Sequence, residues 1–198
     1  MTGVVAFVAG YLVGGLPTAD WLAARSGIDL REEGSGNPGA NNALRLGGRR
    51  LAAQVLGIEV AKGVVCVAIG GLIGGDVGVV AAGTAAVAGN ILNPYRGLRG
   101  GQGLAIAAGI LLAATPIAGA VGIATIAVVA RLVHATAPAA LVALMAVIAT
   151  SGFAPVAPWG LMSRQEAVWL TCLMAVVIAP KQIGKIRSAF RPPAPGPG

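Results

Sequence analysis

Long apolar segments, separated by short polar loops, extend along this chain from Val4 to Ala179. A transmembrane helix needs about 20 predominantly apolar residues, and most of these segments are close to that length or exceed it. The apolar runs are Val4–Ala24, Leu51–Ile73, Gly78–Leu92, Leu104–Ala130, Ala135–Phe153 and Gln165–Ala179. This pattern predicts an all-α protein, a polytopic bundle of transmembrane helices, in which the first run is a permanent span and not a cleaved signal peptide.

Two of the apolar runs contain residues that interrupt helices. Val4–Ala24 has Gly15 and Pro17 near its end. Leu104–Ala130 is long for one span but short for two, and Pro116 lies near its middle. Proline lacks the backbone N–H that a helix interior needs, and its ring clashes with the preceding turn. We therefore expect a break in each run.

The distribution of charge decides how many spans to expect. Basic residues follow the first span, the third span and the last span, and such residues favour the cytoplasmic side of a membrane. An outside N-terminus and a cytoplasmic C-terminus require an odd number of spans, which splitting Leu104–Ala130 provides. We predict seven spans in one domain, residues 1–190, followed by a disordered Pro/Gly tail, residues 191–198.

Composition agrees with a membrane protein and excludes other classes. Apolar residues make up 56% and charged residues 11% of the 198 positions, and the mean hydropathy is +0.82. A soluble domain of this size has too little core to bury so much apolar surface. The net charge of +7 is spread over separate loops with few aromatics, which fits the positive-inside rule for membrane proteins better than nucleic-acid binding. Cys66 and Cys172 lie in apolar runs as small fillers, so we expect neither metal nor cofactor.

The loop after the first span predicts an anion site. Its segment Gly34–Arg45 combines glycines with Ser35, three asparagines and Arg45. Glycines allow backbone N–H groups to converge on an anion, while the hydroxyl, amides and guanidinium add further donors. An ordinary Gly/Asn turn would explain the glycines alone.

Two further segments carry candidate chemistry. Glu59 and Lys62 lie three residues apart inside the second span, so they share a helix face and can pair. The pair is either a structural ion pair or a contributor to substrate binding, and the spacing does not decide between them. The segment Gly89–Gly103 ends in a Gly-Gly-Gln-Gly turn, which we expect to open the fourth span and to present free backbone N–H groups to an anion.

In this order, the three segments resemble the motifs of the bacterial acyl-phosphate:glycerol-3-phosphate acyltransferases, integral membrane enzymes with seven spans. The family's first-loop motif, S-G-N-x-G-A-T-N-x-x-R, is similar to Ser35–Arg45, with Asn41 in place of Thr. Its second motif, an acid three residues before Lys-Gly, matches Glu59 and Lys62. Its third motif matches Gly89–Gly103 without a gap, and the resemblance covers the chain up to its tail.

The chain departs from the family at several positions that carry chemistry in it. Asn90 replaces a histidine, Asn93 a proline and Gln102 the lysine of the Gly-rich turn. The position of a family serine shortly after Arg131 is occupied by His134, which we interpret as a hydrogen-bonded boundary residue. Ala179 and Gln182 fall closest to a C-terminal histidine and asparagine of the family.

The resemblance implies transfer of a fatty acyl group from acyl phosphate to the 1-hydroxyl of glycerol 3-phosphate, at the bilayer. It implies catalytic roles for Ser35, Arg45 and Lys62. Substrate phosphate binding would fall to Asn37, Asn41, Asn42, Arg99, Gly100, Gly101, Gln102 and Gly103. A non-catalytic relative that binds a phosphate-bearing lipid or a membrane-enzyme partner is the alternative. A transporter has little support, because the spans carry few charges.

Overall fold

The computed structural model describes residues 1–153 and 162–189 of the chain. Within these residues the protein consists of helices without a strand, which confirms the predicted all-α class. The elements are α1 (Thr2–Gly15), α2 (Thr18–Ala24), α3 (Ala40–Ile91), a 3-10 turn (Pro94–Arg96), α4 (Leu104–Ala114), α5 (Pro116–Val133), α6 (Thr136–Phe153) and α7 (Arg164–Ala189). The predicted disordered tail, residues 191–198, lies outside the described residues.

Both predicted helix breaks are present. α1 ends at Gly15, and α2 begins at Thr18, directly after Pro17. α4 ends at Ala114, and Pro116 opens α5 at a first-turn position, where its missing N–H is not needed. The predicted division of the run Leu104–Ala130 is therefore confirmed at Pro116.

Two glycines fold α3 back on itself. Gly74 (φ −150°, ψ 23°) and Gly75 (φ 56°, ψ −141°) have non-helical backbone angles. A Cβ atom added to Gly70 would lie 2.4 Å from the carbonyl oxygen of Gly78, so the chain on either side of the turn is in close contact. Gly48 (φ 73°, ψ −171°) is also non-helical and separates the short start of α3 from what we call its first limb, residues 49–73; residues 76–91 are the second limb. These limbs are the antiparallel pair that the sequence divides into Leu51–Ile73 and Gly78–Leu92.

Close approach of small residues holds the helices together. Added Cβ atoms on Gly10 and Gly14 of α1 would both lie 2.2 Å from backbone oxygens of the second limb, those of Ala82 and Ala86. A Cβ atom added to Gly63, on the first limb, would lie 2.3 Å from the backbone oxygen of Ile106 in α4. Without a hydrophobic driving force between helices in lipid, such backbone contact supplies much of the packing energy. These contacts hold α1 against the second limb of α3 and α4 against the first limb.

Loops gather at one end of the bundle, which we call the loop end. The first loop, residues 25–39, contacts the second loop, residues 92–103, where Arg31 Nη1 donates to the Arg99 oxygen at 2.7 Å. The C-terminal part of α7 also contacts the second loop. The predicted gathering of basic loops on one side is therefore present in the fold.

The opposite end of the bundle contains the N-terminus and the turn of α3. Ser163, just before α7, donates its backbone N–H to Asp76 Oδ2 at 3.1 Å. Thr2 lies beside Gly74. The N-terminus and the C-terminal part of α7 thus lie at opposite ends of the bundle.

Five helical segments of the described chain are long and apolar enough to cross a membrane. They are Thr2–Ala24, Ala40–Arg96, Pro116–Val133, Thr136–Phe153 and Arg164–Ser188. α4 is also apolar but has 11 residues. The count differs from the predicted seven because α4 is short and the two antiparallel limbs of α3 are counted together as one segment.

Candidate active site

A cavity of about 400 Å³ lies at the loop end, between the start of α3, α4 and α5. This volume is within the range of small-molecule sites. Polar side chains in its wall are those of Asn37, Asn41, Glu59, Asn90, Gln102 and Thr136. α4 and α5 contribute an apolar wall that includes Leu104, Ala105, Ala108, Ile123, Ile126 and Ala127. The cavity therefore offers contacts to a polar group and to a hydrocarbon chain.

Two helix N-termini meet at this cavity. α3 begins at Ala40 after Gly39, and both residues line the wall. α4 begins at Leu104 after Gly103, and these two also line it. The first N–H groups of a helix lack intrahelical partners, and the positive end of the helix dipole adds to their attraction for anions. The predicted opening of a helix by the Gly-rich turn is confirmed.

Asn90 joins the second limb of α3 to the second loop. Its Nδ2 donates to Glu59 Oε2 at 2.7 Å, and its Oδ1 accepts from the Gly103 N–H at 3.1 Å. Its backbone oxygen accepts from the Gly101 N–H at 2.9 Å. The side chain that replaces the family histidine is therefore a neutral bridge in the cavity wall, and an amide has no titratable proton to exchange.

Lys62 forms the predicted ion pair with Glu59, at 2.9 Å between Nζ and Oε1. The same ammonium donates to the oxygens of Gly14, at 3.2 Å, and Leu16, at 2.9 Å. These carbonyls belong to the end of α1, where a cation also complements the helix dipole. The three ammonium donors are thus used by Glu59 and by two carbonyls at the end of α1, and Lys62 is not in the cavity wall. Its catalytic role stays a prediction. Glu59 also accepts from Thr18 Oγ1 at 2.8 Å.

Asn42 is buried and holds the first loop in place. Its Oδ1 accepts from the Ser35 N–H at 2.8 Å, and its Nδ2 donates to the oxygens of Leu30, at 2.9 Å, and Glu33, at 3.0 Å. Both amide hydrogens are used within the loop. Asn42 thus holds the first loop in this structure, and its role in phosphate binding stays a prediction.

The first motif does not lie wholly in a loop, because α3 starts at Ala40. Asn41 occupies the first turn of that helix and lines the cavity, whereas Arg45 lies further along it and is exposed. Ser35 is also exposed. Only Asn37 and Asn41 of the predicted first-loop ligands lie in the cavity wall, so the roles of Ser35 and Arg45 stay predictions.

The second loop packs tightly against Asn90. A Cβ atom added to Gly100 would lie 2.0 Å from the Asn90 oxygen, so a side chain there requires the backbone to move. Gly103 has φ +76°, a conformation that glycine adopts at little cost. Gln102 lines the cavity, and its buried Oε1 has no hydrogen-bond partner among the described residues. Arg99 has an exposed side chain.

Two further positions that differ from the family lie outside the cavity wall. His134 is exposed in the turn between α5 and α6, with φ +51°. Gln182, on α7, is fully buried, and neither atom of its amide has a partner in the part of the chain that is described. Asn93 is structural, because its Nδ2 donates to the Gly15 oxygen at 2.7 Å and its Oδ1 accepts from the Tyr95 N–H at 3.0 Å.

The structure brings in residues that the sequence did not assign to the site. Asp20 Oδ2 pairs with Arg31 Nε at 2.9 Å and with Arg96 Nε at 3.4 Å, which ties α2 to both loops. Lys181, on α7, donates to the Gly100 oxygen at 2.6 Å. The sequence does carry a signal for Asp20, because it is an acidic residue near the end of an apolar run. The contact of Lys181 spans 81 residues, and no local pattern indicates it.

Comparison with known proteins identifies relatives of the whole bundle. A family model described as glycerol-3-phosphate acyltransferase matches residues 4–191. A glycerol-3-phosphate acyltransferase of Synechococcus sp. is 42% identical over 120 residues, which is 60% of each chain. One from Geobacter sulfurreducens is 32% identical over 178 residues, 89% of this chain and 88% of the relative. The strongest local matches thus span about three-fifths of the relatives' length.

Two solved structures share the fold. Both are of PlsY (YgiH), an integral membrane glycerol 3-phosphate acyltransferase. Its glycerol 3-phosphate form has a TM-score of 0.76 at 21% identity and covers 97% of this chain and 95% of that one. Its lysophosphatidic acid form has a TM-score of 0.81 at 20% identity, over 96% and 92% of the two chains. Since the family model covers nearly the whole sequence and the fold agrees, this chain belongs to the glycerol-3-phosphate acyltransferase family.

Proposed function

We propose that this protein transfers a fatty acyl group from acyl phosphate to the 1-hydroxyl of glycerol 3-phosphate, giving lysophosphatidic acid and inorganic phosphate. One observation carries the proposal: two helix N-termini and neutral polar side chains share a cavity with the apolar wall of α4 and α5. The polar part suits phosphate groups, and the apolar part suits the start of an acyl chain that continues into the bilayer.

Phosphate is a good leaving group, so the protein has mainly to position two anionic substrates and to reduce their repulsion. The hydroxyl oxygen of glycerol 3-phosphate attacks the acyl carbonyl carbon, the bond from that carbon to the phosphate oxygen breaks, and phosphate leaves. Asn37, Asn41, Gln102 and the first backbone N–H groups of α4 would bind phosphate from the wall, with Ser35, Arg45 and Arg99 approaching from the surface of the loop end.

The proton of the attacking hydroxyl goes, in this proposal, to a phosphate oxygen of a substrate. Glu59 is the one titratable side chain among the described residues of the cavity wall. Its Oε1 is bound by Lys62 and Thr18, and its Oε2 by Asn90. Both carboxylate oxygens thus already accept hydrogen bonds from groups of the protein. A substrate oxygen is therefore the better proton acceptor.

We further propose that the chain crosses the plasma (inner) membrane seven times, with the N-terminus outside and the site facing the cytoplasm. The N-terminus and the C-terminal part of α7 lie at opposite ends of the bundle, which supports an odd number of spans. The concentration of arginine and lysine at the loop end supports the orientation. Cysteines substituted at exposed Ser26 and at Asp76 should react with an impermeant thiol reagent from opposite sides, and labelling from the same side contradicts the topology.

The activity is tested with purified protein in lipid nanodiscs, supplied with palmitoyl phosphate and glycerol 3-phosphate. We expect equal amounts of lysophosphatidic acid and inorganic phosphate, dependent on both substrates. Omitting glycerol 3-phosphate measures spontaneous hydrolysis of the acyl phosphate. If phosphate release does not exceed that background, the protein is not an acyltransferase for these substrates.

A second candidate is a non-catalytic member that binds a phosphate-bearing lipid. It is favoured by the neutral Asn90 and Gln102 in the cavity wall, at positions where the resemblance implies a histidine and a lysine. In that case nanodisc-embedded protein binds lysophosphatidic acid without turnover, and Arg45→Ala abolishes the binding. Unchanged binding by this variant would exclude the first loop as the anion site.

A further inference from the structure

The cavity wall lacks an available positive charge. Among the described residues that line it, Glu59 is the one charged side chain, and Lys62 neutralises it. Gln102 is neutral, and its Oε1 has no partner among those residues. A site for dianionic phosphates needs a cation near the phosphate, because helix dipoles and amides alone offset only part of that charge.

Lys181 brings a cation to the second loop from α7. Its Nζ lies 2.6 Å from the Gly100 oxygen, and Gly100 precedes Gln102 by two residues. The loop is packed against Asn90, which is part of the cavity wall. An ammonium group has three donors, and Gly100 is the one acceptor that the described residues supply to it. Two donors are thus available for a ligand.

Three other cations at the loop end already have acidic partners. Arg31 and Arg96 both pair with Asp20, and Lys62 pairs with Glu59. Lys181 has no ion pair within residues 1–153 and 162–189. Its half-buried position strengthens its field relative to an exposed lysine, because less water screens it.

The next residue along α7 carries a buried amide without hydrogen-bond partners among the described residues. Gln182 is fully buried, and both of its amide atoms lack partners within the described chain. Buried amides are almost always paired with protein, water or ligand, so these atoms need a partner that the described residues do not supply.

We propose that Lys181 supplies, from α7, the positive charge that the second loop lacks at Gln102, and that it binds a substrate phosphate together with the Gly-rich turn. This inference rests on the proposed function and extends it, because it identifies the cation that holds the phosphate at this half of the site. A lysine on the loop and a lysine on α7 are then two solutions to the same electrostatic requirement.

The test combines Lys181→Met and Gln102→Lys, singly and together, in the nanodisc assay. A hydrogen bond to a charged group changes affinity by about 10- to 100-fold, so Lys181→Met should lower kcat/KM by that factor. Gln102→Lys in the Lys181→Met background should restore at least half of the loss on a logarithmic scale. Arg187→Met, which removes an exposed cation from the same end of α7, should leave kcat/KM unchanged.

Three outcomes overturn the proposal. Wild-type kcat/KM in Lys181→Met shows that the charge is not needed. A loss that Gln102→Lys does not rescue, with unchanged thermal stability, assigns Lys181 only to holding the Gly100 carbonyl. If Lys181→Met does not fold, Lys181→Gln is used, and wild-type kcat/KM in that uncharged variant overturns the proposal as well.

A binding measurement separates this inference from the proposed function. If the wild type shows no turnover, the acyltransferase proposal fails, and the same variants are then compared for binding of lysophosphatidic acid in nanodiscs. Weakening by Lys181→Met and recovery by Gln102→Lys support the charge role of Lys181 without turnover. Equal binding by all variants overturns it.

Discussion

The two halves of the site differ in how the sequence matches the family and in what the residues do. The first half, residues 25–45, keeps most of the first motif, yet Asn42 binds the loop itself and Arg45 lies exposed on α3. The second half departs from the family at Asn90 and Gln102, yet both residues form the cavity wall. Matching a motif and contacting a ligand are therefore separate properties, and a motif residue can serve by fixing the backbone.

The first half is organised by hydrogen bonds within one loop, and the second half by contacts from distant elements. Arg31 from the first loop binds the Arg99 oxygen, and Lys181 from α7 binds the Gly100 oxygen. With these carbonyls held outward, the N–H groups of Gly101 and Gly103 face Asn90. The second half therefore depends on tertiary packing, and substitutions far away in sequence should affect it.

The largest expected effect concerns Glu59, which connects the two halves through Asn90 and Lys62. Glu59→Ala leaves the Lys62 ammonium buried without its counter-ion, and breaking a buried pair in this way costs about 3–5 kcal/mol. We expect a large drop in the midpoint of thermal or chemical unfolding in detergent micelles, and loss of activity with it.

The double variant Glu59→Ala/Lys62→Met distinguishes charge from packing. Since it removes both buried charges, it should recover most of the stability that the single variant loses. A double variant as unstable as Glu59→Ala would show that the hydrogen bonds to Thr18 and Asn90, and not the unpaired ammonium, account for the loss.

The next largest effect is expected for a glycine substitution in the tightly packed second loop, compared with one at a glycine that has free space around it. In Gly100→Ala the new Cβ meets the Asn90 oxygen at 2.0 Å, so the loop has to move. A displacement of about 1 Å in a site of this kind can cost about 100-fold in rate. We expect kcat/KM to fall by about that factor in the acyltransferase assay.

Gly184→Ala is the matched control for Gly100→Ala, because nothing lies within 4 Å of its added Cβ. It should keep full activity and gain slightly in stability, since alanine favours a helix over glycine by about 1 kcal/mol. Full activity in Gly100→Ala as well would mean that the second loop adapts freely and does not position substrate.

Adjacent asparagines allow the roles within the first half to be separated. Asn42→Ala leaves the Ser35 N–H and the oxygens of Leu30 and Glu33 without their partner, and an unsatisfied buried group such as the Leu30 oxygen costs about 1–3 kcal/mol. We expect Asn42→Ala to lower unfolding stability. Asn41→Ala, at an exposed position in the cavity wall, should keep stability within about 0.5 kcal/mol and raise KM about 10-fold.

The reverse result would exchange the two assignments. If Asn42→Ala were stable and raised KM, Asn42 would bind substrate in the working protein and release the loop when it does so. Urea titration and steady-state kinetics on the same preparations decide between these outcomes.

Local rules predicted several features of the fold correctly. Pro17 and Pro116 mark real helix breaks, Glu59 pairs with Lys62, and the Gly-rich turn opens α4. Cys66 is a buried free thiol, as expected of a small filler. Each of these follows from backbone chemistry or from helix periodicity within a few residues.

The features that the sequence did not predict depend on contacts between distant elements. Spacing places Lys62 beside Glu59 but does not determine that its ammonium faces the end of α1. The start of α3 at Ala40 makes Asn41 and Arg45 helical, and no capping side chain marks that start in the sequence. Lys181 reaches the second loop only because α7 packs beside it.

The smallest effect concerns the apolar wall of the second half, where α4 and α5 face each other. Ala108 lines both the main cavity and a smaller space further along these helices, so we expect the acyl chain to pass it. Ala108→Leu fills that path, and each methylene that is no longer buried costs about 0.8 kcal/mol, or about fourfold. The variant should therefore lower kcat/KM for palmitoyl phosphate by severalfold more than for lauroyl phosphate. Ala124→Leu, an exposed position on α5, should leave the ratio unchanged. Equal losses for both chain lengths in Ala108→Leu would mean that the chain leaves the cavity before it reaches Ala108, and that the apolar wall serves packing of α4 on α5 alone.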